Sequence, residues 1–138
     1  MTESHKLSTI LFADIAGYTA LMQKDEHAAL DALGLFQDTL ENCISKFEGE
    51  IVQYYGDGAL IAFDSTTNGV AYATEVMDIF KNKVNIPVRI GIHLSEVVFK
   101  NDNAFGDGVN IASRIESIGI PGCVLLSRTV RDQIKNSK

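Results

Sequence analysis

The sequence predicts one α+β domain, an α/β sandwich in which a mostly antiparallel sheet is covered by helices. Its length of 138 residues suits a single domain with a sizeable core. Apolar residues make up 46% of the chain and charged residues 22%, as in ordinary globular proteins. Strand-like and helix-like segments alternate in the order β-α-β-β-α-β-β-α-β-α, which predicts a ferredoxin-like core.

The first third of the chain predicts a buried strand followed by an amphipathic helix. Residues 7–13 are rich in β-forming side chains, and this strand is expected to end at Asp14. Asp25 is the expected N-cap of the longer part of the following helical region, and Gly49 ends that region. Apolar positions recur every three or four residues and define its inward face: Leu30, Leu33, Phe36 (or Gln37), Leu40, Ile44 and Phe47.

The middle of the chain predicts a β-hairpin and a second helix. Residues 50–55 and 59–63 form the two strands, joined by the turn Gly56-Asp57-Gly58. Residues 66–83 form the helix. Its inward residues are expected to be Val70, Ala73, Val76 or Met77, and Phe80.

The last third predicts another hairpin and two short helices. Residues 88–93 form a strand after Pro87, and residues 96–99 are expected to be its hairpin partner. The polar residues 100–103 predict a loop. The remaining predicted elements are a helix over 108–118, a strand over 123–126 and a final helix from Ser127 or Arg128.

Charge and cysteine content narrow the possible functions. The formal net charge is −6 and no Lys/Arg cluster is present, so a nucleic-acid polymer is not an expected partner. Cys43 and Cys123 have no metal-ligand spacing and fit buried thiols in a reducing compartment. No signal peptide and no apolar run of about 20 residues is found, which predicts a cytoplasmic domain without a membrane segment.

Two aspartates lie where an apolar strand gives way to glycine. If the strands that end near Asp14 and Asp57 are neighbours, the carboxylates converge and can bind hard divalent cations. Taken alone, Asp57 is better explained as a turn residue, whereas an unpartnered Asp14 at the end of a buried strand would be costly. Directly after Asp14 a helix is expected to begin, and its free N–H groups at Gly17, Tyr18 and Thr19 could bind a phosphate.

A second candidate site lies on the predicted helix over 108–118. Asn110 and Arg114 are four residues apart and therefore share one helix face. The spacing alone fits equally well an exposed face on which Arg114 pairs with an acid. Asp107 is expected to cap this helix.

Five blocks together resemble the class III adenylate/guanylate (nucleotidyl) cyclase catalytic domain, and most closely the compact bacterial adenylate cyclases. They are FADIAGYT (12–19), GDG (56–58), RIGIH (89–93), FGDGVNIASR (105–114) and PGCVLLS (121–127). Their order matches the family along almost the whole chain. The resemblance predicts one cyclase catalytic domain over residues 1–138.

The resemblance implies conversion of ATP to 3′,5′-cyclic AMP and pyrophosphate at sites shared across a head-to-tail homodimer. Asp14, Asp57 and the Ile15 carbonyl of one subunit would bind two Mg²⁺ or Mn²⁺ ions. Asn110 of the other subunit would orient the ribose, and Arg114 would neutralise charge on the phosphate. The expected reaction is attack of the 3′-hydroxyl on the α-phosphate with assistance from both metals.

The two positions that would contact the base depart from the family pattern. Gln53 stands where adenylate cyclases have lysine and guanylate cyclases have glutamate. Asn103 stands where adenylate cyclases have aspartate or threonine and guanylate cyclases have cysteine. Both amides can donate and accept hydrogen bonds, so adenine and guanine both fit. We expect an adenylate cyclase of relaxed base choice, with a guanylate cyclase as the alternative.

Two further departures concern Ser95, where the family usually has glycine, and the C-terminus. The family continues into a strand pair whose lysine contacts the polyphosphate, whereas this sequence ends at Lys138. The alternative from another class is therefore a catalytically weak, cyclase-like nucleotide-binding or regulatory module. A different two-metal nucleotidyl-transfer enzyme would share the carboxylates but not the helix that carries Asn110 and Arg114.

Overall fold

A single sheet with helices on both faces organises the molecule, whose computed structural model describes residues 3–136. The strands are β1 (Glu3–Ile15), β2 (Gly49–Tyr55), β3 (Gly58–Phe63), β4 (Val88–Lys100), β5 (Asn103–Phe105) and β6 (Val124–Leu126). The helices are α1 (Tyr18–Lys24), α2 (Glu26–Ile44), α3 (Thr66–Asn82), α4 (Asp107–Ser117) and α5 (Arg128–Asn136), and a 3-10 turn at Ser45–Phe47 follows α2.

The strand order confirms the predicted fold class. The strands run β2-β3-β1-β4-β5 across the sheet, and β6 pairs with β4. All neighbours are antiparallel except β4 and β6, which are parallel. Strands β1 to β4 with α2 and α3 thus form the ferredoxin-like core that the order of elements predicted.

Alternation along β1 separates two apolar clusters on opposite faces of the sheet. Leu11, Ala13 and Ile15 pack into the larger cluster with α2 and α3. Ile10 and Phe12 belong to the smaller cluster, which includes Ala112 of α4. Because Asp14 follows Phe12 by two positions, the same alternation places its side chain on the α4 side of the sheet.

Helix α2 begins where the sequence predicts, but one of its predicted inward residues is wrong. The Asp25 side chain accepts a hydrogen bond from the Ala28 N–H at 3.1 Å, as an N-cap does. Phe36 and Leu40 are fully buried, as expected. Leu30, however, is 50% exposed, because Ala29 is the residue that faces the core at this turn.

The hairpin predicted between residues 88–93 and 96–99 is wrong. These residues form the single 13-residue strand β4, which pairs with β1 from Val88 to Lys100. The chain reverses instead at Asn101 and Asp102, which both have positive φ, as a two-residue hairpin turn requires. The hairpin partner is β5, within the predicted loop.

Strand β1 begins four residues before its predicted start and ends at Ile15, whereas β2, β3, α3, α4 and β6 lie within one or two residues of their predicted bounds. Asp107, predicted as a cap, is instead the first residue of α4, and the N-cap Gly106 makes no side-chain cap bond. In the part of the chain that the structure describes, no helix has the length and apolar character needed to cross a membrane.

Helix α4 rests directly on β4 at Gly91. A Cβ atom added at Gly91 would lie 2.8 Å from the Glu116 Cα and 3.0 Å from the Ile115 carbonyl carbon. Both are backbone atoms, so they cannot move aside without shifting the helix. Glycine at this position therefore sets the distance between α4 and the sheet.

We expect Gly91→Ala to lower the free energy of unfolding by about 1–3 kcal/mol, because it overpacks this contact. Gly34→Ala in α2 is the matched control, since a Cβ there would meet nothing within 4 Å. That control should raise stability by about 0.5–1 kcal/mol, because alanine favours the helix. Denaturant titration of both variants measures the difference. A Gly91→Ala protein as stable as the wild type would contradict the tight contact.

Candidate active site

The C-terminal end of β1 and the N-terminal end of β3 are adjacent, and they bring Asp14 and Asp57 to the same end of the sheet. Asp14 lies opposite Gly58 in the β1–β3 register. Asp57 lies in the turn between β2 and β3, and its carbonyl oxygen accepts a hydrogen bond from the Ile15 N–H at 3.2 Å. The expectation that their strands are neighbours is confirmed. Burial raises the pKa of the Asp57 carboxyl, and the negative charge of Asp14 raises it further.

Asp14 is paired with an arginine that the sequence analysis did not single out. Arg89 Nη2 donates to Asp14 Oδ2 at 2.8 Å, and Nε donates to Oδ1 at 3.1 Å. The two residues lie directly opposite each other in the β1–β4 register. This bidentate pair supplies the counter-charge of a carboxylate whose side chain is only 19% exposed.

A third carboxyl group, that of Glu116 in α4, is buried against the same pair. Its Oε2 lies 3.3 Å from Arg89 Nε, but the single N–H there is directed at Asp14. Within residues 3–136, Glu116 Oε2 has no hydrogen-bond partner. Burial, and then the neighbouring Asp14 carboxylate, raise the pKa of Glu116 to about 8. This raised pKa favours the protonated form of Glu116 at neutral pH. We call Asp14, Arg89 and Glu116 the acid–guanidinium cluster.

This raised pKa predicts how stability depends on pH in the metal-free protein. In the unfolded chain Glu116 loses its proton near the ordinary pKa of 4.5, whereas in the folded chain its pKa is about 8. Between these values the unfolded state binds fewer protons, so stability falls as pH rises. Glu116→Gln stays neutral, and we expect it to reduce the loss between about pH 5 and about pH 8 by roughly 1–3 kcal/mol.

Denaturant titrations of both proteins at the two pH values measure this effect. Glu50→Gln, on the exposed surface of β2, is the control and should keep the wild-type pH dependence. Equal pH dependence of wild type and Glu116→Gln would show that Glu116 ionises normally in the folded protein.

The carboxylates suit a hard cation that keeps ligands from solvent or substrate. No group of three or more His, Cys, Asp or Glu side chains among residues 3–136 could hold a metal ion. Asp14, Asp57 and the Ile15 carbonyl would therefore fill only part of a coordination shell, which is how Mg²⁺ is commonly bound beside phosphates. A cation at Asp14 has to share that carboxylate with Arg89 or displace it.

The helix expected after Asp14 is α1, which begins at Tyr18. Gly17 is its N-cap, with a φ of 72° and no side-chain cap bond. Glycine adopts this left-handed conformation without strain. The N–H groups at the start of α1, including that of Thr19, therefore have no capping side chain.

Two of the remaining candidate residues lie around a different cavity of about 390 Å³, which neither Gln53 nor Arg114 lines. Asn103 and Asn110 line it together with Tyr55, whereas Asp14 and Asp57 do not. The two halves of the candidate site, metal and nucleoside, are thus separate within one chain.

Arg114 and Gln53 are both exposed. Among the described residues the Arg114 side chain makes no ion pair, so the alternative in which it pairs with an acid is not seen in this chain. Gln53 follows a β-bulge and lies opposite Leu60, on the sheet face of the smaller apolar cluster. The bulge was not predicted; such irregularities redirect side chains near functional sites.

Exposed apolar side chains lie on α4 and in the segments that flank it in sequence. Ile118 is 77% exposed, Ile120 65% and Phe105 51%. Ile111, on α4 itself, is 36% exposed. Such clustered exposure is typical of a protein–protein contact surface.

The fold is an α+β domain. Its candidate site combines Asp14 and Asp57 at adjacent strand ends with Asn110 and Arg114 on helix α4. Residues 1–138 match the family described as the adenylate and guanylate cyclase catalytic domain. The chain belongs to this family, as the sequence blocks predicted.

Individual relatives agree with this assignment. "Putative adenylate cyclase 3" of Rhizobium meliloti is 32% identical over 138 residues, covering 94% of this chain and 23% of the relative. An adenylate/guanylate cyclase/hydrolase from Silicibacter pomeroyi is 30% identical with a TM-score of 0.89, covering 99% of this chain and 84% of that one. The catalytic core of a rhodopsin–guanylyl cyclase with converted specificity, in complex with ATPαS, is 25% identical with a TM-score of 0.82, covering 98% and 85%.

The chain spans only part of its curated relatives. It corresponds to 23% of the Rhizobium protein and to 33% of an adenylate cyclase from Streptomyces coelicolor.

Proposed function

We propose that this domain converts ATP to 3′,5′-cyclic AMP and pyrophosphate. The observation that carries the proposal is the meeting of Asp14 and Asp57 at one sheet edge, in a chain of the cyclase family. The relatives named adenylate cyclase favour ATP as substrate. GTP is the alternative, because Gln53 and Asn103 differ from both base-contacting patterns.

The same geometry supports a head-to-tail homodimer with two shared sites. The metal half and the Asn110 half lie at separate places on one chain, which favours a site completed by a second subunit. The exposed apolar residues around α4 provide a surface for that contact. Two copies related by a two-fold axis would complete both sites at once.

The residues of this chain have distinct roles in the proposed reaction. Two Mg²⁺ or Mn²⁺ ions at Asp14 and Asp57 would activate the 3′-hydroxyl and stabilise charge on the phosphates. Asn110 would orient the ribose, and Arg114 would offset the charge that builds on the α-phosphate. The uncapped N–H groups at Gly17, Tyr18 and Thr19 would contact the triphosphate. Arg89 pairs with Asp14 in the metal-free protein, and its guanidinium would be placed to contact the polyphosphate if a cation displaced it from Asp14.

The direct test incubates the purified protein with Mn²⁺ or Mg²⁺ and ATP, and follows cyclic AMP and pyrophosphate chromatographically. Cyclic AMP formation that requires the metal supports the proposal. Binding of ATP without any cyclic product would instead support the nucleotide-binding regulatory module. We also propose a cytoplasmic site of action, where ATP is available and where the free thiols Cys43 and Cys123 stay reduced.

A further inference from the structure

We propose that Tyr55 occupies the second lone pair of Asn103 Oδ1, so that the base site offers only a hydrogen-bond donor at this position and accepts GTP alongside ATP. Tyr55 is in this proposal a positioning residue, because it acts through Asn103. The inference rests on the proposed function for the assignment of Asn103 to the base. It adds the polarity of this contact and a role for Tyr55, whose hydroxyl uses the oxygen lone pair that the Ala104 N–H leaves open.

The orientation of the Asn103 amide follows from its hydrogen bonds. Its Oδ1 accepts from the Ala104 N–H at 2.8 Å and from the Tyr55 hydroxyl at 3.2 Å. A backbone N–H can only donate, so the amide atom that faces Ala104 has to be the oxygen. Both lone pairs of this oxygen are then used. No acceptor for the Asn103 amide nitrogen is present among residues 3–136.

Tyr55 is itself held in place. Its ring stacks on Phe12 of β1, with ring centroids 6.2 Å apart and an angle of 30° between the planes. It is the last residue of β2, and its hydroxyl crosses to the first residue of β5. Tyr55 and Asn103 line the same cavity as Asn110, the proposed ribose contact. The amide nitrogen is thus the Asn103 group left for a ligand in this cavity.

A donor at this position distinguishes purines by their 6-substituent. The 6-amino group of adenine also donates, so the Asn103 amide nitrogen would remain unpaired against it. The 6-oxo group of guanine accepts and pairs with the amide. Gln53 is exposed and makes no hydrogen bond through its side chain within the described chain, so it can turn its amide to suit either base. Compared with the aspartate of the adenylate cyclase pattern, Asn103 thus weakens the contact with adenine and adds a contact with guanine.

The test compares kcat/KM for GTP with kcat/KM for ATP in the wild type, Asn103→Asp and Tyr55→Phe. We expect the wild-type kcat/KM values for the two nucleotides to agree within about tenfold, because ATP leaves only one donor, the Asn103 amide, unpaired. Asn103→Asp can only accept, and it should lower the GTP/ATP ratio by about tenfold or more. Tyr55→Phe keeps the stacked ring but frees one lone pair of Oδ1, and should lower the ratio several-fold.

Tyr54→Phe is the matched control, because the Tyr54 hydroxyl donates to Glu41 at 2.6 Å on α2. Its ratio should equal that of the wild type. Cyclic products with a ratio that neither Asn103→Asp nor Tyr55→Phe changes would overturn this inference and leave the proposed function standing. If no protein forms a cyclic product, the proposed function fails. The ratio of dissociation constants for Mn²⁺–GTP and Mn²⁺–ATP, measured by calorimetry in the same variants, then decides the inference in the same way.

Discussion

Asp57→Asn should reduce formation of cyclic product by about a hundredfold or more, because it removes one of two carboxylates available to the metals. Asparagine has the same shape and fits the same turn, so the fold should persist. Asp57 belongs to no ion pair within residues 3–136, so its replacement should lower activity without a large loss of stability. Initial rates over a range of Mn²⁺ concentrations measure the effect.

The matched control for this change is Asp64→Asn. Asp64 follows β3 at the end opposite Asp57, its side chain is 82% exposed, and it contacts Lys6 at 3.1 Å. The same chemical change there should leave the rate within about twofold, since surface ion pairs contribute little. If Asp57→Asn retained wild-type activity with Mg²⁺, the metal site would have to lie elsewhere.

Two inactive variants should restore activity when mixed, if each site is shared between subunits. Asp57→Asn damages the metal half, and Arg114→Ala damages the nucleoside half. In a mixed dimer both defects fall in one site and the other site is intact. Half of randomly assorted dimers are mixed, so independent sites would give about a quarter of the wild-type activity.

The control mixture is Asp57→Asn with Asp14→Ala. Both substitutions damage the metal half, so a mixed dimer has no intact site and activity should not return. Native mass spectrometry would verify that mixed dimers form in both experiments. Mixed dimers of Asp57→Asn and Arg114→Ala that remain inactive would rule out the shared site.

Features that depend on neighbouring residues were predictable from the sequence. The cap at Asp25 and the turn at Gly56-Asp57-Gly58 are determined by local backbone chemistry, and both form as expected. The hairpin predicted around Ser95 shows the limit of local patterns. Residues 94–95 offer no glycine or asparagine for a tight turn, and the continuous ladder with β1 keeps β4 extended.

The features that were missed depend on contacts distant in sequence. Arg89 and Asp14 are 75 positions apart, and only the β1–β4 register makes them partners. Glu116 has the spacing of an ordinary polar helix residue, yet the close contact of α4 with Gly91 buries it. The roles of Asp14, Asp57, Asn110 and Arg114 came from the family resemblance, and the mutants above test them.

The acid–guanidinium cluster also contacts the end of α4. Arg89 Nη1 donates to the Ser117 carbonyl at 3.2 Å, at the last residue of the helix that carries Asn110 and Arg114. In a head-to-tail dimer, the Arg89 guanidinium would then contact Asp14 of one catalytic centre and also the helix α4 that contributes Asn110 and Arg114 to the other centre. Binding of a cation at the first centre would then alter the contact of Arg89 with α4 and so affect the second centre, which is a route to cooperativity. Mixed dimers whose rate departs from one quarter would measure its strength.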